Sequence, residues 1–228
     1  MYHYVREFSA DYPNFRFLDV SDFRKQLQFF EQEYGFVERS EWLEYVSTGK
    51  MPSKEGKVVL TFDDAMSCHY EYVFPELIDK GLWGIFYVPT NPYKFGKILD
   101  VHRIHLLCGA FEGKRLLEIA SDLLTDSMIP GNKINAFKND TYKLQNNNEG
   151  VTEFKRLLNY FIHYDFREKI IDEIASELGY SFLADEFYVP VKDLLKMKEN
   201  GRESSTATQG RSLPNPSDSD FLRSIPPN

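Results

Sequence analysis

Two adjacent carboxylates, Asp63 and Asp64, follow directly on the apolar run Val58, Val59, Leu60, Thr61, Phe62 and precede a helical pattern. Successive side chains of a strand point to opposite faces, so neighbouring acids share a site only where the strand ends and the chain turns. Held close, two carboxylates repel. A nearby cation keeps both ionised; without one, the pKa of one acid rises and it becomes a base. The pair therefore suits a division of labour, with one acid on a metal ion and the other taking a proton. A plainer reading stands beside it: acids after strands also cap helices, here one starting near Ser67 or Glu71, and an isolated Asp-Asp dipeptide is commonly solvated surface. A phosphatase or other magnesium hydrolase fits less well, because its second Asp would fall two residues on, where Ala65 stands.

Other residues of chemical interest are sparser. His102 and His105 in "DVHRIHLL" are three apart, so on a helix they share a face and could bind one metal, or cap and pack. His69 and His163 read as structural or exposed, and His3 is given no role. Cys68 and Cys108 are too few and too isolated for a disulfide framework or a thiolate metal site, and read as buried small hydrophobes. Trp83 and Phe86 read as core, while Tyr87 and Tyr93 are left open between core and stacking on a sugar face.

The elements that must position the acids form a β, α, β, α order. "YHYV" opens as a strand, and "SDFRKQLQFFEQEYG" carries Phe23, Leu27 and Phe30 at helical spacing, with Ser21 expected as N-cap and Gly35 as stop. Val58–Phe62 lacks clean alternation, which suits a parallel strand covered on both faces. Residues 71–80 read as the next helix and "GLWGIFYVP" as a second buried strand. A strand, helix, strand unit places Asp63 and Asp64 at the carboxyl edge of the sheet, where α/β folds put their sites. From residue 93 to about 186 the periodicity is helical, broken by the Asn-rich "GNKINAFKNDTYKLQNNNEG". Residues 204–228, rich in Ser, Pro, Asn and Gly, are expected to be disordered, since such a composition buries too little apolar surface to offset ordering entropy.

The chain has 228 residues, 42% of them hydrophobic, enough for a substantial core. Its net charge of −8 argues against a nucleic-acid partner, because no basic stripe exists to release counterions from a phosphate backbone. No window of about 18 apolar residues exists and "MYHYVREFSADYPNF" lacks the basic start and apolar run of a secretory signal, so no membrane span and a cytoplasmic location are expected.

The wider pattern resembles the polysaccharide deacetylase family, also called the NodB homology domain or carbohydrate esterase family 4. "MYHYV" is similar to that family's opening strand, "KVVLTFDDA" to its first motif, and "YVFPELIDKGLWGIFYVP" to the helix and strand that follow. The similarity covers about residues 1–92 and resumes at "FYVPVKDLLKMKENGRE", which looks like the helix leading into the second motif. The resemblance implies an α/β fold: an incomplete, distorted parallel (β/α) barrel of the deacetylase type. Residues 1–92 would form its N-terminal half, 93–186 a helical insertion, 187–203 a helix returning to the barrel, and 204–228 a tail. It further implies a metal-dependent hydrolase that removes N-acetyl groups from a carbohydrate, with Asp63 as general base and Asp64 as ligand to a divalent metal, commonly zinc. Without a signal, the substrate is expected to be a nucleotide-linked or lipid-linked glycan intermediate.

Two departures qualify what the resemblance implies. Ala65 stands where the family's Gly is usual, at a cost of about 1 kcal/mol if φ there must be positive. The second motif, which supplies two histidine ligands in the family, is absent: the corresponding place reads "NGRESSTATQGRSLPNP", and no histidine follows His163. A catalytic zinc takes three protein ligands, so one carboxylate does not complete a site. The loss of periodicity after Glu203 points to a frameshift or artificial end, with a natural degenerate form as the alternative. The competing functional reading is a non-catalytic deacetylase remnant acting as a structural or partner-binding module.

Overall fold

The computed structural model describes residues 1–52, 56–133 and 150–203. Helices predominate, and the strands are four segments of two residues each: β1 Val5–Arg6, β2 Leu18–Asp19, β3 Thr61–Phe62 and β4 Ile85–Phe86. β1 pairs with β2 and β3 with β4, both in parallel. A parallel bridge between Tyr2 and Phe62 joins the two ladders, and a second links Phe36 to Val58.

This is a mixed α/β arrangement, but no closed barrel forms among the described residues. The expected strand over Val58–Phe62 keeps ladder pairing with β4 only at Thr61 and Phe62. A barrel of this kind closes through many tilted strands, and four short ones do not complete the circuit.

The helix α1, Val20–Glu33, buries Val20, Phe23 and Leu27, which lie along one face. Its N-cap is Asp19, whose carboxylate accepts from the Ser21 N–H, and not Ser21 as the sequence suggests. Both residues favour caps, and the earlier one wins because it still has the extended backbone of β2. Helix α2, Arg39–Thr48, opens with a reciprocal capping box between Glu38 and Glu41 and ends on Gly49 in the left-handed region. After β3 the chain makes one wide π-type stretch, His69–Val73, which runs on as α3, Phe74–Asp79. Val5, Phe23, Leu27, Leu60, Phe62, Val73 and Leu77 form the core under the strands.

Beyond β4 come α4 (Thr90–Phe95), α5 (Asp100–Ala110) and α6 (Gly113–Leu123). They are followed by α7 (Val151–Arg156), α8 (Tyr164–Glu177), α9 (Ala184–Phe187) and α10 (Val191–Glu203). A separate apolar cluster binds α5 to α8 through Ile104, Leu107, Leu116, Phe154, Leu158 and Ile171. Most of the Asn-rich linker, and the tail expected at 204–228, lie outside the described residues. Among the described residues no helix is long and apolar enough to cross a membrane.

Candidate functional site

The acid pair is held by the end of β3. The Phe62 ring is 0% exposed, stacked on Phe86 at 4.7 Å and on Tyr2 at 5.5 Å. Its backbone is tied on both sides: the Asp63 N–H donates to the Tyr2 carbonyl and the Tyr87 N–H to the Phe62 carbonyl, each at 2.9 Å. Immediately afterwards the backbone turns left-handed, with φ of 74° at Asp64 and 45° at Ala65. Both are residues that pay for this conformation, so the turn persists only because its surroundings hold it. The holding groups are visible: the Val189 N–H donates to the Ala65 carbonyl at 2.9 Å, and Met66 bridges Tyr188 in antiparallel fashion. Ala65 thus adopts the positive φ for which a glycine would be the unstrained choice.

Each carboxylate faces a different imidazole. Asp63 Oδ2 lies 3.5 Å from His3 Nε2, and Asp64 Oδ2 lies 3.2 Å from His102 Nε2. Neither acid is closed off, with side chains 23% and 30% exposed. His102 comes from α5 and is buried; its Nδ1 lies 2.7 Å from the Tyr188 hydroxyl. His69 donates from Nε2 to the His3 carbonyl, and its Nδ1 is buried with no partner among the described residues. His105 meets the Tyr4 hydroxyl at 3.0 Å through Nδ1. Four of the five histidines thus gather round the turn.

Burial sets the electrostatics here. It lowers the pKa of His102, and lowers those of His69 and His105 to about 4, because desolvation disfavours the charged ring. It raises the hydroxyls of Tyr4 and Tyr188, with the Asp64 charge adding to the effect. The interior side of the site is therefore built from neutral donors and acceptors.

The expectation that His102 and His105 share a metal meets a divided pair. His102 reaches Asp64 while His105 is engaged by Tyr4. Among the described residues no three His, Cys, Asp or Glu side chains come together to hold a metal ion. Asp64 and His102 make two donors where a catalytic zinc takes three, so the described residues do not fit a complete zinc site. Cys68 and Cys108 are both buried and unbridged. Phe86 belongs to the core stack, and the Trp83 indole N–H donates to the Val37 carbonyl. Of the residues left open, Tyr87 is exposed and the Tyr93 hydroxyl donates to the Val189 carbonyl.

Two cavities lie nearby, and neither includes Asp63 or Asp64 in its lining. One of about 330 Å³ runs along Tyr93, Tyr188 and Pro190. The other, of about 270 Å³, begins at Met66, Ser67 and Cys68, directly after the acid turn, and is walled by Arg6, Tyr12, Tyr72, Glu71, Tyr180 and Phe187. Sequence reasoning missed Tyr188 and the contact of His102 with Asp64. The latter spans 38 residues, and helical spacing carries no signal for it.

Against known proteins, no family model matches the chain, and no curated protein matches it. Among solved structures it is similar to the Streptococcus pyogenes deacetylase PplD in complex with acetate, at 16% identity over 76% of this chain and 77% of that one, with a TM-score of 0.34. That likeness is too slight to assign a fold or an activity.

Proposed function

We propose that this chain is a hydrolase of the polysaccharide deacetylase type, acting on N-acetyl groups of a carbohydrate. The observation that carries the reading is the left-handed turn at Asp64 and Ala65, which sets two successive carboxylates at a strand end, each against its own imidazole. Backbone strain of this sort is retained where a site requires it. On this reading residues 1–92 are the N-terminal half of a deacetylase-like barrel, 93–186 a helical insertion and 187–203 the returning helix, in a cytoplasmic protein.

Asp63 is the general base. It accepts a proton from a water that attacks the acetyl carbonyl; a C–O bond forms, the amide C–N bond breaks, and the proton passes on to the departing amine. His3, beside Asp63, has a side chain that is 47% exposed. Asp64 is the carboxylate to which a divalent metal, zinc by the resemblance, would bind. The Tyr-rich cavity that opens after Met66 offers ring faces and the charged groups Arg6 and Glu71 to a sugar.

A second reading has its own observation. With only Asp64 and His102 converging as donors among the described residues, the chain fits a non-catalytic deacetylase-like module that binds a partner or glycan without turnover. Zinc titration by calorimetry, on the parent and on Asp64→Ala, separates the two. One ion bound per chain at micromolar or tighter affinity, and lost in the variant, supports the hydrolase. No binding removes the metal-holding role of Asp64 and leaves the second reading.

A further inference from the structure

Tyr188 touches the acid turn in two ways. Through its backbone it bridges Met66, on the far side of Ala65 from Asp64. Its hydroxyl lies 2.7 Å from Nδ1 of His102 and accepts from the Leu99 N–H at 3.1 Å. His102 completes the path, with Nε2 lying 3.2 Å from Asp64 Oδ2. His102 is 2% exposed and Tyr188 4%, so water is kept from the imidazole–hydroxyl contact, while Asp64 stays partly open at 30%.

The direction of each hydrogen bond follows from the chemistry of the groups. An ionised carboxylate only accepts, so His102 Nε2 must carry the hydrogen that faces Asp64. In a neutral imidazole the other nitrogen then accepts, and the Tyr188 O–H donates to it. The Tyr188 oxygen keeps a lone pair for Leu99. Both imidazole nitrogens then have a partner, and the Tyr188 hydroxyl both donates and accepts.

We propose that His102 is the positioning residue for Asp64, locked into its Nε2–H tautomer by Tyr188. A carboxylate on a left-handed residue at a strand end has no regular backbone to fix its rotamer. A donor from α5 does that, gripping Oδ2 and leaving Oδ1 for a ligand. Carboxylates that hold a ligand are themselves commonly held by hydrogen bonds from the groups behind them. α5 is itself seated closely enough to serve: an added Cβ at Gly109 would lie 2.5 Å from the Phe15 ring. As a functional claim this rests on the hydrolase reading; as a structural one it is tested separately.

The test is long-range ¹H–¹⁵N NMR on the full chain labelled at histidine, at pH 7, with acetate release measured in parallel. The expected result is His102 in the Nε2–H form, with Tyr188→Phe shifting its Nδ1 resonance and Asp64→Asn shifting its Nε2 resonance, while His163 stays unchanged. His102 in the Nδ1–H form, or resonances indifferent to both substitutions, overturns the proposal. If Tyr188→Phe does not fold, the parent tautomer and the Asp64→Asn shift decide. In the activity arm, His102→Gln, whose amide N–H can still donate, should keep at least tenfold more turnover than His102→Leu. Equal rates for the two overturn the positioning role. A chain that shows the expected tautomer and shifts but releases no acetate refutes the hydrolase reading and leaves the positioning intact.

Discussion

Replacing Gly84 by alanine should destabilise the protein, and the size of the effect can be worked from its neighbours. A Cβ built at Gly84 lies 2.7 Å from Cε2 and 3.2 Å from Cδ2 of Phe62, and 3.3 Å from the Leu60 carbonyl oxygen. The Phe62 ring has nowhere to go, since Tyr2 and Phe86 stack on it and Phe23 and His69 meet it edge-on. Overpacking of this kind costs about 1–3 kcal/mol. Alanine gives back about 0.4–1 kcal/mol by restricting the unfolded chain. The balance is a loss centred on about 1.3 kcal/mol and reaching about 2.6 at most, equivalent to a fall in melting temperature of about 3–5 °C at the centre and up to about 10 °C for a chain of this size. Gly131→Ala is the control, because nothing among the described residues lies within 4 Å of its added Cβ. Thermal unfolding followed by circular dichroism compares the three proteins. Gly84→Ala melting at or above the parent would show that the ring stack under the acid turn is not packed as described.

Further expectations concern the same neighbourhood. Gly109→Ala sets a Cβ 2.5 Å from the Phe15 ring and should lower the melting temperature despite alanine's better helix propensity, since the overpacking cost of about 1–3 kcal/mol exceeds the propensity gain of about 1. Stability should fall on acidification because of His69, which faces the His3 carbonyl, the Phe62 and Phe86 rings and, at longer range, Asp64 and His3. Its folded pKa of about 4 lies below the unfolded value of about 6.5, so the unfolded state binds the proton first. The loss sets in as pH falls through about 6.5, approaches about 1.4 kcal/mol per pH unit, and levels off near pH 4. Urea unfolding across that window measures it. His69→Phe should reduce the dependence and leave the share of His102 and His105, whose pKa values burial also lowers, and an unchanged slope would mean that the His69 ring is not the neutral, buried group described.

What the sequence made legible was the part written locally. Asp63 and Asp64 at the end of an apolar run announce a strand end, and the Phe23 and Leu27 spacing announces α1. Where an expectation rested on the partner's backbone it went astray. The run Val58–Phe62 favours strand throughout, yet ladder pairing lasts for two residues, because the neighbouring chain sets where hydrogen bonds stop. The N-cap fell on Asp19, two residues before the expected Ser21, since both side chains can do the same work. His102 and His105 looked alike by helical spacing, and the fold sent them to different partners. The strained φ at Ala65 was foreseeable from its place in the motif; that Val189 and Tyr188 would hold it was not, as they arrive from the far side of the helical region.

The central claim is that Asp63 acts as a base toward an N-acetylated sugar, and acetate release tests it most directly. With N-acetylated chito-oligosaccharide as substrate, the parent should release acetate, and Asp63→Asn should lower the rate by about 10²–10⁴-fold while remaining folded. No acetate from the parent under any divalent metal supplied, or equal rates from parent and variant, would contradict the account.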